Sequence, residues 1–432
     1  MLAIMTKAEE NTTLNDGTLE LLTRLRARGA MTRSEIGAAT GWARPTVNKR
    51  IDELVSIGIV RPLTMPSPTG GRPAQGFAFD ASCAVILAVD IATTVTTLAL
   101  CDLSGRPVTI RTIEVGAENG PEETLGLIYT TADGMLADDT NSDGDTDDDG
   151  DTDGDDASDT PGADASGAAP HATRLCAVSI AVTTRVETST GNIIQAPVMR
   201  HWENHNLRDL FSRRYQVPAF VENDANVRAL CKAYELAGDG ERMVGDLLYV
   251  HAGMGLGAGI ISSGVIMHGS GGAAGDIGHI HVLGEVGADR PCRCGNIGCV
   301  EASAGGWAIL QSLQDAGKPV HTLADVVGLA RQGDIETVQL VRRAGRLIGD
   351  AISTCVNLLN PSYIIVGGEL SDCGELLMSG IRERVWARAQ PLATTSLHIE
   401  SCDDEARAGI IGLAYAAIDQ GLTSLEFLRQ FA

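Results

Sequence analysis

Within twenty-one residues of this 432-residue chain stand one histidine and three cysteines: His279, Cys292, Cys294 and Cys299, in the segment GDIGHIHVLGEVGADRPCRCGNIGCVE. An imidazole and three thiolates make a complete tetrahedral set for Zn²⁺. Four protein ligands leave no open coordination position, so a structural ion is expected rather than a catalytic one. The C-x-C-x4-C spacing around Gly295 and Gly298 predicts a tight knuckle, while the histidine arrives from an apolar stretch, so the metal would pin a loop to a strand. His281 is a rival ligand, but on a strand it would face the opposite way from His279.

The chain exceeds what one core usually holds, and its 44% apolar residues can build a core in each of two or three domains. MLAIM is too short an apolar opening for a signal peptide, and TKAEENTTLND follows it directly. The longest apolar run, 84–101, contains Asp90 and several threonines and reads as two strands joined by a turn, not a membrane span. Cys83, Cys176 and Cys355 sit among apolar neighbours as small hydrophobes, which suits a reducing, cytoplasmic location without a membrane partner.

The net charge of −23 is unevenly spread. Residues 138–168 hold thirteen aspartates and no basic residue. They have nothing to bury and are expected to form a disordered insertion between a helix near 121–136 and a strand at 175–182. Partial EF-hand matches around Asp145, Asp147, Asp149, Gly150 and Asp156 follow from the aspartate repeat, and no amphipathic helices flank them.

Residues 21–75 have the opposite balance, nine Arg or Lys against three acids. Leu19, Leu22 and Leu25 mark one helix, Thr32-Arg33-Ser34-Glu35 is a capping box opening a second, and a third follows the turn at Gly41-Trp42. In the third, Val47, Ile51, Leu54 and Val55 share a face, opposite Thr46, Lys49, Arg50 and Glu53, and Gly58 stops it. Three short helices with a basic third resemble a winged helix-turn-helix, which places the N-terminal residues of its recognition helix at base edges. Arg44, Thr46, Asn48 and Lys49 are the candidate readers. Arg44 suits guanine O6/N7 and Asn48 suits adenine N6/N7, although either could contact phosphate instead. Gly70-Gly71-Arg72-Pro73 would carry Arg72 into a minor groove on a thin wing. A helical hairpin for oligomerisation would leave the charge asymmetry unexplained.

Gly275-Asp276-Ile277-Gly278-His279 and Cys292-Arg293-Cys294-Gly295-Asn296-Ile297-Gly298-Cys299-Val300-Glu301 resemble the signature of the ROK family, which gathers bacterial sugar kinases and sugar-responsive repressors. The resemblance covers nearly all of the chain after residue 80 and implies a two-lobed, actin-like sugar kinase (ribonuclease H-like) fold. The expected class is therefore α/β. A winged helix-turn-helix at 1–80 precedes a first lobe at 81–200 and a zinc-containing lobe at 201–432, whose last helix returns to the first lobe.

In the kinases of that family the first hairpin reads Asp-x-Gly-Gly-Thr; here it reads Asp90-Ile91-Ala92-Thr93-Thr94, and side chains obstruct the phosphate space. Met254, in Ala252-Gly253-Met254-Gly255-Leu256-Gly257-Ala258-Gly259, stands where those kinases usually have threonine and supplies no hydroxyl donor. The stretch from Asn360 to Gly368 resembles the strand and turn near adenosine.

The sugar side is better kept. Val221-Glu222-Asn223-Asp224-Ala225-Asn226 matches the stretch in which the asparagine grips sugar and the aspartate acts as general base, so Asp224 is where a base would sit. The resemblance also assigns Asp276, Glu301 and His279 to the sugar, the last through its second ring nitrogen. Asp276 replaces the usual glutamate, Thr183-Thr184-Arg185 replaces a Pro-Gly turn, and Ala196-Pro197-Val198 lacks an asparagine after proline. The expected function is a sugar-responsive DNA-binding transcriptional regulator, a repressor of carbohydrate-utilisation genes without enzyme activity. It would act as a homodimer or homotetramer on operator DNA with a sugar effector. The alternatives are an ATP-dependent sugar kinase with a DNA-binding appendix and a constitutive DNA binder with a vestigial pocket.

Overall fold

The structure, a computed structural model, describes residues 14–65, 73–141, 174–187, 190–194, 199–203, 205–238, 243–282 and 287–431. The acidic tract beyond 141, the Ala196-Pro197-Val198 segment and the wing tip with Arg72 lie outside these residues.

Helices α1 (Asp16–Arg28), α2 (Arg33–Thr40) and α3 (Arg44–Ser56) bury Leu21, Leu22, Leu25, Ile36, Val47, Ile51 and Leu54 in one core. Strands β1 (Met31–Thr32), β2 (Val60–Met65) and β3 (Ala74–Phe79) pair in the order β1-β3-β2 beside them. The capping box is present: Thr32 Oγ1 accepts from Glu35 N at 3.3 Å, and Glu35 Oε2 accepts from Thr32 N at 2.7 Å. The bond from Thr32 N, with one from Thr32 Oγ1 to the same oxygen at 2.8 Å, holds the Glu35 carboxyl below its ordinary pKa. Gly58 ends α3 at φ 78°, a left-handed conformation that favours glycine. Glu53 departs from the expected polar face. It is buried, accepts from Thr18 Oγ1 at 3.0 Å and pairs with Arg50 at 2.7 Å, so it ties α3 to α1.

Strands β4 (Val85–Ile91) and β5 (Thr96–Asp102) form the hairpin read from the sequence, with Ile91 opposite Thr96, and β6 (Pro107–Ile113) continues it antiparallel. Helix α4 (Pro121–Asn141) runs longer than its apolar spacing suggested, and β7 (Leu175–Val182) pairs parallel with β4. The hairpin of β8 (Arg185–Glu187) and β9 (Asn192–Ile194) and helix α5 (Leu207–Tyr215) lead to β10 (Ala219–Asn223). This strand lies parallel to β7 and completes the order β10-β7-β4-β5-β6. The first lobe thus extends through residue 223, past the expected boundary at 200, because Ala219 and Val221 bury their side chains with this sheet.

Helix α6 (Asp224–Ala237) crosses to a second sheet built from β11 (Leu247–Ala252), β12 (Leu256–Ser262) and β13 (Val265–Ile266). After α7 (Glu301–Ala304), α8 (Gly306–Asp315), α9 (Leu323–Arg331) and the long α10 (Ile335–Leu359) comes β14 (Tyr363–Gly367). Helices α11 (Glu375–Arg388) and α12 (Pro391–Thr394) precede β15 (His398–Ser401), and the sheet order is β13-β12-β11-β14-β15.

Helix α13 (Glu405–Gly421) goes back to the first sheet, where Ile410, Leu413 and Ala414 pack with Ala88, Ala99 and Ala181. Gly412 allows α13 and α6 to touch by their backbones, since a Cβ there would lie 1.7 Å from Val227 O. Beyond it, Ala417, Ile418 and Leu422, with Phe427 and Leu428 of α14 (Leu425–Arg429), share a buried cluster with Leu21, Leu22 and Leu25 of α1. Among the described residues no helix is long and apolar enough to cross a membrane.

Candidate ligand cleft, metal centre and DNA face

His279 lies on a single 3-10 turn, Ile277–His279, and not on the strand expected for it. Gly278 packs directly against β12, where a Cβ would meet Leu256 O at 2.4 Å. The turn brings the ligand atoms of His279, Cys292, Cys294 and Cys299 within 4.8 Å of one another. Cys294 and Cys299 Sγ are 3.7 Å apart, and Cys292 Sγ is 3.8 Å from His279 Nδ1. A tetrahedral ion with Zn–S bonds of about 2.3 Å and a Zn–N bond of about 2.0 Å separates its ligands by roughly 3.5–3.8 Å. The donor set therefore fits a metal ion. Cys292 N donates to Asn296 O at 2.8 Å and Gly295 takes φ 95°, which closes the knuckle. His281 stays outside the quartet, bonded through Nδ1 to Val282 O at 2.9 Å.

Glu301 follows the knuckle at the start of α7. Its Oε2 accepts from Leu256 N at 3.0 Å and its Oε1 from Trp307 Nε1 at 3.3 Å, while the Arg293 guanidinium stacks 4.5 Å above the Trp307 ring. Asp276 forms an ion pair with Arg185, so two departures from the family pattern are partners. Burial pushes the Asp276 carboxyl up, Arg185 and His279 pull it down, and Glu301 pushes it up again, so these groups share one electrostatic neighbourhood. Across the cleft Asn223 caps α6 through Ala225 N at 3.0 Å and donates to Thr184 O at 3.1 Å, beside Arg185. The sequence reading passed over Glu222 and His268: Glu222 Oε2 meets His268 Nε2 at 2.6 Å, and its Oε1 accepts from Asn226 Nδ2 at 2.9 Å. Thr183 Oγ1 and Asn226 Oδ1 are buried without a partner among the described residues, which marks polar demand at this edge.

The other half of the cleft is filled by charge. Arg228, one helical turn beyond Asp224, places Nη2 on Asp90 Oδ2 at 2.8 Å and Nη1 on Asp224 O at 3.0 Å. Its Nε lies 2.8 Å from Glu405 Oε1. Glu405 also accepts from Gly368 N at 2.9 Å and from Tyr249 Oη, and meets His251 Nδ1 at 2.8 Å. Burial opposes the charge on His251, but the Glu405 bond and charge and the Asp224 charge prevail and raise its pKa to about 9. Burial likewise disfavours the Glu405 carboxylate, yet His251 and Arg228 hold its pKa well below the usual range. One amide in each of the three stretches resembling nucleotide segments is taken internally. Ala92 N donates to Val95 O at 3.0 Å, Gly253 N to Gly255 O at 3.1 Å, and Gly368 N to Glu405.

On the helical module Arg44, Thr46 and Lys49 are exposed along the start of α3, and Asn48 is half-buried between them and α2.

Three helices with a two-stranded wing, joined to two sheet-centred lobes around a cleft, define a winged-helix chain built on a sugar-kinase-like α/β domain. The ROK family profile matches residues 165–420, and a winged helix-turn-helix DNA-binding profile matches residues 14–61. The chain belongs to the ROK family. A glucokinase of Halalkalibacterium halodurans is 35% identical over 241 residues, 52% of this chain and 71% of that one. A putative xylose repressor of Caldicellulosiruptor sp. is 23% identical over 411 residues, 92% of this chain and 94% of that one. The crystal structure of a ROK family transcriptional regulator, a homologue of the Escherichia coli MLC protein, superposes with a TM-score of 0.73 at 21% identity, covering 96% of this chain and all of that one.

Proposed function

We propose that this chain is a sugar-responsive, DNA-binding transcriptional regulator, a repressor of carbohydrate-utilisation genes, and not a kinase. The observation that carries this reading is the buried Arg228 guanidinium on Asp90 and Glu405. It fills with protein charge the half of the cleft that resembles a kinase's nucleotide site. Asn223, Asp224, Asp276, His279 and Glu301 are proposed to bind the sugar, with Glu301 and His279 braced by a structural zinc on His279, Cys292, Cys294 and Cys299. Arg44, Thr46, Asn48, Lys49 and Arg72 are proposed to contact operator DNA, as a homodimer or homotetramer on paired half-sites. The domain limits follow as 1–80 for DNA and the remainder for the effector, in a cytoplasmic protein.

Effector and operator binding can be linked through α13, which starts at Glu405 in the cleft and, about 18 Å on at Ala417, shares a core with α1. Coupling requires that sugar bind two arrangements of these elements with different affinity. A thermal-shift screen of monosaccharides, disaccharides and sugar phosphates, repeated with operator DNA, tests the reading. A sugar that raises Tm alone and releases DNA is expected; no response to any sugar would leave a constitutive binder.

The 35% identity to a glucokinase favours a second reading, an ATP-dependent sugar kinase with Asp224 as base. Sugar-dependent ADP release on the order of 1–100 s⁻¹, abolished by Asp224→Asn, would put that reading first.

A further inference from the structure

Asn48 and Gln75 come from opposite sides of the helical module, one on the recognition helix α3 and the other on the strand β3 that leads out of the wing. Arg33, at the first turn of α2, joins them. Its Nε donates to Asn48 Oδ1 at 3.0 Å and its Nη1 to Gln75 Oε1 at 2.8 Å, while the guanidinium lies 4.3 Å from the centre of the buried Phe77 ring. A planar group held by stacking on one face and by two in-plane bonds has little freedom left.

The chemistry of the guanidinium fixes more than position. It has five N–H donors and no acceptor, so each amide must turn its oxygen toward it. The nitrogen Nδ2 of Asn48, with two donor hydrogens, is thereby directed away from Arg33. Asn48 lies one helical turn beyond the exposed Arg44, on the same side of α3. An asparagine that selects adenine needs both ends of its amide, Oδ1 for the N6 amino group and Nδ2 for N7. Here Arg33 takes one of the two lone pairs of Oδ1 and turns that oxygen toward α2, which weights the amide toward its donor end.

We infer that Arg33 is a specificity-positioning residue that orients Asn48 to read through its donor Nδ2, favouring a base edge rich in acceptors over adenine. Guanine, with O6 and N7 side by side, is the best match, and thymine O4 the next. Gln75 is held in the same sense, with its amide nitrogen free for a phosphate oxygen. The inference rests on the proposed DNA-binding function and revises the adenine pairing that the residue type alone suggests for Asn48.

The test is selection from a random DNA pool with the full-length protein, followed by titrations. Asn48→Ala identifies the base position that Asn48 reads, as the one whose preference collapses. The unmodified chain is expected to enrich guanine or thymine there. Arg33→Met keeps an apolar stem over Phe77 but frees the Asn48 oxygen, and should move that one position toward adenine by about tenfold while leaving the others unchanged. A measurement on the unmodified protein does not depend on how the variant folds: 7-deazaguanine at that position should weaken binding several-fold. Adenine enriched by the unmodified chain, an unaltered profile in Arg33→Met, indifference to 7-deazaguanine where guanine is enriched, or an Asn48→Ala loss equal for all sequences would each overturn the inference. If the unmodified chain enriches no motif, the DNA-binding reading fails, and this inference with it.

Discussion

Replacing Arg228 by methionine removes the charge at the centre of the cleft while keeping most of its apolar stem. In the Arg228–Asp90 pair the side chains are 7% and 6% exposed, so neither charge is shared with solvent. Removing one partner of a buried pair typically costs about 3–5 kcal/mol, because the other charge stays behind in low dielectric. Glu405 keeps His251, Tyr249 and the Gly368 amide, so the uncompensated group is chiefly Asp90. Burial already pushes the Asp90 carboxyl up and Arg228 pulls it down, and without Arg228 it should rise further. An acid whose folded pKa lies above its unfolded value is costly above the folded pKa and costs nothing below the unfolded one. The variant should therefore lose most stability at pH 8 and recover part of it toward pH 5. At about 2–4 °C per kcal/mol, the expected fall in Tm at pH 8 is about 6–20 °C. Asp90→Asn in the Arg228→Met background should restore part of the loss, since it deletes the stranded charge. Thermal and urea unfolding of the three proteins at both pH values measures this. A Tm within about 1 °C of the unmodified protein at pH 8, or an equal loss at both pH values, would refute a closed buried ion network.

His251, raised to about 9, contributes stability in full below its unfolded value near 6.5 and loses it as pH climbs through about 9, a span worth about 3 kcal/mol. Urea midpoints of the unmodified protein should fall over that window, and His251→Gln should flatten the fall; parallel curves would contradict the Glu405 pairing. Cys294→Ser should lower zinc content, destabilise the second lobe and weaken the sugar response, whereas full zinc occupancy with all three knuckle cysteines replaced would sink the metal assignment. Arg44→Ala should cost about 1–3 kcal/mol at one base step if it pairs with guanine, while Lys49→Ala should weaken all sequences alike and reduce the salt slope by about 1. Titrations at several salt concentrations separate the two, and a salt slope unchanged by Lys49→Ala would remove it from the phosphate contacts.

What could be read from the sequence divides by range. The strands at 85–90, 96–102 and 175–182 and the Thr32–Glu35 box are recorded in neighbouring residues, and all of them form. The four candidate metal ligands come together because their spacing needs only one turn and one knuckle. The strand read for His279 fails because an apolar stretch does not reveal that Gly278 is pressed against Leu256. The 200 boundary fails for a related reason, since the β8–β9 hairpin and α5 stand between Ala219–Asn223 and its partner β7, and that separation conceals the pairing.

Charged partners are the least legible part, and the proposed function rests on them. Arg228 stands four residues after Asp224, a spacing that puts both on one side of α6, but its counter-ions Asp90 and Glu405 are 138 residues before it and 177 after it. Spacing gives the direction in which a side chain leaves a helix; only the fold decides which group is waiting there. The same holds for Arg33, which reads as the first residue of a capped helix and becomes, through Asn48 and Gln75, the residue that orients two amides on the proposed DNA face. Family motifs locate a cleft and a recognition helix. Whether the cleft can hold a nucleotide, and which base edge the helix can read, depend on ionic and polar neighbours that no motif contains. In this chain it is the partner of Asp90, Arg228, that carries the proposed separation of regulator from kinase, beyond what the glycines missing after Asp90 suggest.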